Sequence, residues 1–268
     1  MQQQKLRALR QLHPLSADDF AKYFLIFVGV SHEYEAISQI LSQHLTKLST
    51  GCFMLDIGAG LGSPLKELTR VARDKIVLYH GMEQNTMLAK ELTKTIDELL
   101  PSCPFVQIQQ AKWPHAVDEE KRHQTYYNLI LMSHCLYEVP NRLHHILTAM
   151  LLLTKDKQDP EEPPKTLFVF HRQNDIGSLI PKLKACIASD KRWTMTVTEN
   201  LPGYLDLSNL NEEKDDQKIN MLMSINYGLN VAMLNEQDKK GLLSDFQSQM
   251  TPSEHFPCLN VCIQLTFQ

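Results

Sequence analysis

The sequence lacks the cysteine and histidine spacings that bind metals or build disulfide frameworks. Its six cysteines are scattered along the chain, with no C-x-x-C pair among them. We expect them to be reduced core residues of a cytoplasmic protein. His144 and His145 are adjacent, so they would point in different directions from a helix, and no third ligand lies at a fitting offset from them or from His80. No metal site is therefore predicted.

Long hydrophobic runs and an excess of one charge are also absent. The longest apolar stretch near the N-terminus, residues 23–30, is far shorter than the roughly 20 residues that a membrane span requires. The first residues show no signal-peptide pattern. Lys and Arg number 27 against 31 Asp and Glu, for a formal net charge of -4. These features predict a cytoplasmic protein with no nucleic-acid or membrane partner. We further expect a monomer whose partner is a small-molecule substrate.

What the sequence does contain is an alternation of short apolar runs and amphipathic segments. This alternation is typical of a mostly parallel sheet covered by helices, that is, of an α/β protein. A last run of alternating apolar residues, 259–267, predicts a strand that returns to the sheet. The other predicted strands are residues 52–57, 76–82, 105–108, 127–132 and 166–170.

Helical patterns occur at both ends of this alternation. Ile37, Leu41 and Leu45 lie on one face of a predicted N-terminal helix, and an aromatic segment precedes it. Ser63, Asn141 and Asn235 stand where predicted helices begin. We therefore expect one domain over residues 1–268, made of an N-terminal helical cap (1–50), a cofactor-binding core (51–200), a helical insertion on the substrate side (201–250) and a final strand (251–268).

The most informative segment is residues 54–63, which read MLDIGAGLGS. An apolar strand leads into three alternate glycines, which would let the backbone approach a ligand closely because glycine has no Cβ. A dinucleotide fingerprint is G-x-G-x-x-G, whereas here Ser63 stands at the place of the third glycine. The pattern therefore disfavours an oxidoreductase and favours S-adenosylmethionine. This ligand has an uncharged adenosine and a sulfonium cation, so it does not need the helix dipole as a pyrophosphate does.

Glu83 follows the second predicted strand, whose end lies beside the glycine loop in a β-α-β unit. A carboxylate at this position can accept hydrogen bonds from both hydroxyls of a ribose. The alternative is that the loop is only a tight turn and that Glu83 is a solvated cap of the helix beginning near Asn85. The order of strand, glycines, helix and acidic strand end favours the ligand-binding interpretation.

These residues resemble the class I S-adenosylmethionine-dependent methyltransferases over about residues 50–171. From Phe20 to the C-terminus the chain looks like the histamine N-methyltransferases within that family. The marks of the closer resemblance are Phe20 and Phe24 leading to Ser31-His32-Glu33, the segment Met132-Ser133-His134-Cys135-Leu136-Tyr137, the segment Asp206-Leu207-Ser208, and Asn260.

The resemblance implies a Rossmann-like sheet of seven strands, one of them reversed, that binds S-adenosyl-L-methionine. The cofactor-binding residues it implies are Asp56, Gly58, Gly60, Gly62, Glu83 and Ser133. The substrate-binding residues it implies are Glu33, His134 and Asn260, facing the methyl acceptor, and Phe20, Phe24 and Tyr137, forming the walls. The chain departs from the family at His134, where the family has glutamine, and at Glu138, where it has tyrosine. These departures count against histamine itself as the acceptor.

The predicted function is methyl transfer to a small molecule, most simply to an amine or imidazole nitrogen. No covalent nucleophile is required, so no catalytic residue is assigned beyond the orientation of the acceptor by Glu33 and His134. Two alternatives stay open: a methyltransferase that acts on an oxygen, a carboxylate or a protein side chain, and a non-catalytic interaction protein with the same fold. The intact glycine loop and Glu83 disfavour the second.

Overall fold

The computed structural model describes residues 3–113, 126–137, 139, 141–154, 164–208 and 216–268. The chain forms two compact units. We call residues Met1–Glu33 with Pro202–Cys258 the helical unit, and residues Tyr34–Leu201 with Leu259–Gln268 the sheet unit. Within the described ranges, no helix is long and apolar enough to cross a membrane.

The helices and strands follow one another along the chain in a largely alternating order. In sequence they are α1 Gln3–Leu12, α2 Ala17–Val30, α3 Glu33–Thr46, β1 Cys52–Ile57, α4 Ser63–Lys66, α5 Arg70–Arg73, β2 Ile76–Glu83, α6 Thr86–Leu99, β3 Phe105–Gln110, β4 Leu129–Ser133, α7 Arg142–Leu153, β5 Lys165–Arg172, α8 Gln173–Ile176, α9 Ile180–Ile187, β6 Trp193–Leu201, β7 Tyr204–Asp206, α10 Asp216–Tyr227, α11 Glu236–Ser248, β8 His255–Pro257 and β9 Asn260–Phe267.

The sheet unit is built on seven strands in the order β3-β2-β1-β4-β5-β9-β6. Strands β1 to β5 pair in parallel, and β9 runs antiparallel to both β5 and β6. β9 is therefore the single reversed strand, and the predicted α/β class with one reversed strand is confirmed. Since the strand order changes direction at β1 and β4, the carboxyl ends of these two strands flank the crevice where such sheets bind ligands.

Local sequence explains the helix that follows β2. The Asn85 side chain accepts hydrogen bonds from the backbone N–H groups of Met87 and Leu88, at 2.9 and 3.1 Å, which satisfies two donors of the first turn. Leu88, Leu92 and Ile96 then recur every four residues and are buried. α6 thus begins at its cap and packs one apolar face inward, as the spacing predicts.

The helical unit consists of α1, α2, α10, α11 and the two-stranded antiparallel sheet of β7 and β8. Asn235 caps α11 by accepting a hydrogen bond from the N–H of Asp238, as its position in the sequence predicts. Phe27, Leu222 and Phe246 lie in its hydrophobic core. The helical insertion predicted for residues 201–250 contains α10 and α11, and its residues 209–215 lie outside the described residues.

Several expectations about individual elements need correction. The run at 127–132 starts as a strand only at Leu129, although the Asn128 backbone N–H already donates to the Phe53 carbonyl oxygen at 3.1 Å. β6 was not assigned from the sequence, although its apolar residues alternate. All six cysteines are free thiols, but Cys186 is exposed and Cys103 and Cys135 are half-buried, so the expectation that all six lie in the core is wrong for these three. Residues 155–163, like Glu138, lie outside the described residues.

The turn after β1 depends on glycine at Gly58. Its φ angle is +68°, in the left-handed region that favours glycine. A Cβ on Gly58 would lie 2.3 Å from the Cβ of Cys135, in the segment that follows β4. The two loops at the carboxyl edge of the sheet therefore touch at a point where only a hydrogen atom fits.

We predict that Gly58→Ala lowers the free energy of unfolding of the sheet unit by about 3 kcal/mol, since it adds both backbone strain and overpacking. Urea unfolding followed by tryptophan fluorescence measures this change, because both tryptophans, Trp113 and Trp193, belong to the sheet unit. Gly177→Ala is the matched control: Gly177 has a φ of -53° and open space around it. An equal loss in both variants would contradict the proposed contact.

Candidate functional site

The glycine loop is fixed to the end of the neighbouring strand. The backbone N–H groups of Gly58 and Ala59 both donate to the carbonyl oxygen of Met82, at 2.8 and 3.0 Å. The N–H of Gly62 donates to the carbonyl oxygen of Ala59 at 2.8 Å. The loop is therefore held in one conformation by the last residues of β2.

Glu83 completes this attachment with its side chain. One carboxylate oxygen accepts the Gly60 N–H at 3.0 Å, and the other accepts the Asn85 N–H at 2.8 Å. The side chain is buried. Burial raises the pKa of Glu83, and hydrogen bonds from backbone N–H groups oppose that rise. The interpretation of Glu83 as a solvated cap is therefore wrong: the carboxylate is buried and joins the loops that follow β1 and β2.

Asp56 lies in β1 just before the glycines, and it is also buried. Its Oδ2 atom accepts a hydrogen bond from the Tyr79 hydroxyl at 2.9 Å. Burial raises the pKa of Asp56 to about 7, and the nearby Glu83 adds to the rise, whereas the bond from Tyr79 opposes it. Asp56 thus supports the loop from beneath, and its contact with a cofactor stays a prediction.

Two serines bring buried hydroxyl groups to the same edge of the sheet. Ser63 is the first residue of α4, directly after the glycine loop, and Ser133 is the last residue of β4, next to β1. The Oγ atoms of both are buried and have no hydrogen-bond partner among the described residues. Because burying an unpaired hydroxyl costs about 1–3 kcal/mol, these atoms are suited to a polar ligand.

A group of aromatic and imidazole rings lies beyond the end of β4. His134 has a φ of +52°, and its backbone N–H donates to the Phe170 carbonyl at 2.9 Å. Its Nδ1 atom is 2.7 Å from the Tyr137 hydroxyl, and the two rings are stacked with centroids 5.9 Å apart. Tyr34 meets His134 edge-on at 5.9 Å. The structure therefore brings together the predicted residues His134 and Tyr137.

His171 belongs to this group and was missed by the sequence analysis. It is the penultimate residue of β5 and is completely buried, with its ring centroid 4.2 Å from that of Tyr137 and 6.3 Å from that of His134. Burial, chiefly, lowers the pKa of His171 to about 3. The signal in the sequence that could have identified His171 is a pair of polar residues, His171 and Arg172, at the end of an apolar predicted strand.

Asn260 reaches the same edge because β9 is reversed. It is the first residue of β9 and pairs in register with Arg172 at the end of β5. Its side chain is buried. A residue at the beginning of the reversed strand therefore lies among residues at the ends of the parallel strands.

The remaining predicted site residues belong to the helical unit. Phe20 and Phe24 are stacked on α2 with ring centroids 5.5 Å apart, and Phe20 is 40% exposed. Glu33 is 1% exposed, and its Oε2 atom accepts a hydrogen bond from the Ser31 hydroxyl at 3.3 Å. Such burial is unusual for a glutamate on the surface of a helix.

No metal centre is built by the part of the chain that the structure describes. There, no group of three or more His, Cys, Asp or Glu side chains could hold an ion. The adjacent rings of His144 and His145 stand nearly perpendicular, at 83°.

The candidate site consists of the glycine loop, its supporting carboxylates, the two serines and the ring group of His134, Tyr137 and His171.

No protein-family model and no curated protein sequence matches the chain. Solved structures do match it. The plantazolicin methyltransferase BpumL in complex with S-adenosylhomocysteine (SAH) has a TM-score of 0.54 and 11% identity, over 99% of both chains. A methyltransferase from Thiobacillus denitrificans with SAH has a TM-score of 0.45 and 13% identity, over 86% of this chain and 90% of that one. The [4+2]-cyclase SpnF has a TM-score of 0.48 and 13% identity, over 87% and 81%.

The likeness to BpumL concerns the fold, because 11% identity is too low to carry over an activity. The chain has the class I methyltransferase fold, as its strand order and single reversed strand also indicate.

The raised pKa of Asp56 gives the sheet unit a testable pH dependence. Folding raises this pKa from 3.8 to about 7, so the stabilisation from proton binding is complete below about pH 4 and is lost as the pH rises to about 7. Asp56→Asn cannot ionise and keeps an oxygen for the Tyr79 hydroxyl. We expect its stability relative to wild type to increase by about 2 kcal/mol between about pH 5 and pH 8.

Urea unfolding at both pH values, followed by tryptophan fluorescence, measures this difference. Asp97→Asn is the control, since Asp97 is exposed on α6 of the same unit. A constant difference between Asp56→Asn and wild type at the two pH values would show that Asp56 is not held in a pKa-raising environment.

Proposed function

We propose that the chain is an S-adenosylmethionine-dependent methyltransferase. The observation that carries the proposal is the Glu83 carboxylate, buried at the end of β2 and bonded to the N–H of Gly60 in the glycine loop. Backbone N–H groups of Gly60, Gln84 and Asn85 donate to this carboxylate and hold it at the edge of the sheet. A buried carboxylate in this position suits the two hydroxyls of a ribose.

The other residues at this edge support the same ligand. The absence of a side chain at Gly60 leaves the loop backbone open to a close approach. The Oγ atoms of Ser63 and Ser133 offer hydrogen bonds that no described residue uses. Asp56, Gly58 and Gly62 act through the shape of the loop.

When bound, S-adenosylmethionine supplies a methyl carbon that the lone pair of the acceptor attacks. The electron pair of the broken carbon–sulfur bond stays on sulfur, and the proton displaced from the acceptor goes to water.

A dinucleotide fits this loop less well. Binding of a pyrophosphate in the Rossmann manner uses the N-terminus of a long helix, whose peptide dipoles add up. Here the helix after the glycines, α4, has four residues and begins at Ser63 and Pro64, the second of which has no backbone N–H to offer. This short helix favours an adenosine without a pyrophosphate.

For the acceptor we propose a small molecule with an amine or imidazole nitrogen, as the resemblance to the histamine N-methyltransferases implies. His134, Tyr137 and His171 form a half-buried to buried wall of rings with hydrogen-bonding atoms, which suits an aromatic, polar acceptor. The chain's own part in the reaction is then to orient the nitrogen and exclude water. Glu33, Asn260, Phe20 and Phe24 remain proposed acceptor contacts.

This proposal has two alternatives. The acceptor could be an oxygen, a carboxylate or a protein side chain, or the chain could have a non-catalytic role. Transfer of labelled methyl groups to a panel of amines, imidazoles, phenols and carboxylates distinguishes them. A cytoplasmic location and a monomeric state remain predictions from the sequence.

We predict that the chain binds S-adenosylmethionine and SAH and does not bind NAD, and that Glu83→Gln weakens SAH binding at least about tenfold, because a charged acceptor is lost from a buried site. Gly60→Val should abolish binding by filling the space beside the loop. Calorimetric titration with the three ligands measures both effects.

Glu91→Gln is the matched control for this titration. Glu91 lies on α6 of the same unit and forms a partly exposed ion pair with Lys94, which contributes little to stability. Binding of NAD without S-adenosylmethionine, or unchanged SAH affinity in Glu83→Gln and Gly60→Val, would refute the proposed cofactor site.

A second prediction concerns the acceptor. If the buried Glu33 pairs with a cationic group of the acceptor, Glu33→Gln should cost about 2 kcal/mol or more of transition-state stabilisation, while SAH affinity stays unchanged. The ratio kcat/KM over the amine panel measures this loss. Glu35→Gln, an exposed position on the same helix, is the control. Unchanged kcat/KM in Glu33→Gln for every amine would remove Glu33 from the acceptor site.

A further inference from the structure

The His171 imidazole has a nitrogen with no hydrogen-bond partner in the part of the chain that the structure describes. The residue is completely buried at the end of β5, and its Nε2 atom has no hydrogen-bond partner among the described residues. A polar atom left in this state costs free energy unless a ligand or water bonds to it. Its position at the carboxyl edge of the parallel strands, beside Tyr137 and His134, is where a ligand of this fold is expected.

The other ring nitrogen determines what Nε2 can do. Nδ1 of His171 lies 3.4 Å from the carbonyl oxygen of Arg172, and a carbonyl oxygen only accepts hydrogen bonds. Nδ1 therefore carries the proton. In a neutral imidazole the second nitrogen is then a bare lone pair, so Nε2 can accept a hydrogen bond and cannot donate one.

The surroundings keep this ring neutral and disfavour a cation beside it. The pKa of His171 is lowered to about 3, chiefly by burial, and the charges of His134, Arg142 and Arg172 contribute to this shift. The Arg142 guanidinium is fixed nearby, donating hydrogen bonds to the carbonyl oxygens of Tyr137 and Asp175 at 2.6 and 2.7 Å. A ligand group that meets Nε2 should therefore be an uncharged donor, such as the N–H of an azole or the O–H of an alcohol.

We propose that His171 is a specificity-determining residue of the acceptor site, where its Nε2 atom accepts a hydrogen bond from an uncharged N–H group of the methyl acceptor. The proposal rests on the proposed methyltransferase function. An imidazole has one N–H and one nitrogen with a lone pair. By binding the N–H, His171 selects the tautomer in which the other nitrogen is the nucleophile, and so decides which nitrogen receives the methyl group.

A pair of isomeric ligands isolates this hydrogen bond. 4-Methylimidazole has an N–H group, whereas 1-methylimidazole has the same atoms and no N–H. Calorimetric titration of both into the SAH-containing chain, at about pH 9 where both ligands are largely uncharged, should give about tenfold tighter binding of 4-methylimidazole.

The variants assign the preference to one atom. His171→Phe keeps a ring and removes the acceptor nitrogen, so the preference for 4-methylimidazole should disappear. His171→Gln places an amide oxygen near the position of Nε2 and should restore most of it. His44→Phe is the matched control: the Nε2 of His44 is also buried without a partner among the described residues, and burial also lowers its pKa, but its ring packs on Phe168 in the middle of β5.

Nitrogen NMR of histidine-labelled wild-type protein gives a readout that needs no variant to fold. The Nε2 signal of His171 should be that of an unprotonated ring nitrogen, and it should move when 4-methylimidazole is added and stay when 1-methylimidazole is added.

The outcomes separate this proposal from the function on which it rests. Failure of SAH to bind would refute the proposed function. Three results would overturn the role of His171 alone, if the chain still binds SAH. The chain could bind the two isomers with equal affinity, it could bind neither measurably, or His171→Phe could keep the preference for 4-methylimidazole. A protonated Nε2 would overturn it as well.

Discussion

The glycine loop of the sheet unit depends on the buried carboxylate of Glu83. Its two oxygens bind the N–H groups of Gly60 and Asn85, so it joins the loop after β1 to the loop after β2. Hydrogen bonds to a charged acceptor are the stronger kind, at about 1.5–3 kcal/mol each. Removing the carboxylate would leave these donors buried and unpaired. Together with the Met82 carbonyl oxygen, which accepts the N–H groups of Gly58 and Ala59, this carboxylate fixes the shape of the glycine loop and of a ligand site beside it.

Around this carboxylate the edge of the sheet divides into two chemically different regions. Near β1 and β2 the groups are acidic or hydroxylic, as in Asp56, Ser63 and Glu83. Beyond β4 and β5 they are rings, as in Tyr137 and His171. The close contact of Gly58 with Cys135 lies between the two regions, since it joins the loop after β1 to the loop after β4. This arrangement suits a polar cofactor beside an aromatic acceptor.

The parts of this site that the sequence predicts are those that depend on local order. A strand, three alternate glycines and an acidic residue at the next strand end specify the loop and Glu83, because short-range pattern and topology suffice to bring them together. The last strand is also visible, as the alternating residues 259–267, whereas its reversed direction is implied only by the resemblance. His134 and Tyr137 were found through a resemblance, and the structure adds that they stack on each other.

The parts that the sequence does not predict depend on long-range packing. The bond between Asp56 and Tyr79 joins side chains of two strands. The Nε2 atom of His171 lacks a partner among the described residues because of how several elements pack around it. Neither has a pattern in the chain. The edge strand β6 has a weak alternation of Trp193, Met195 and Val197 among threonines, and only its pairing with β9 identifies it.

The most direct test of the account is a crystal structure of the chain grown with SAH. The account predicts that both ribose hydroxyls lie within hydrogen-bonding distance of the Glu83 carboxylate and that the adenosyl group packs on the backbone at Gly60. SAH bound elsewhere on the chain, or bound here with Glu83 turned away from the ribose, would contradict the central claim.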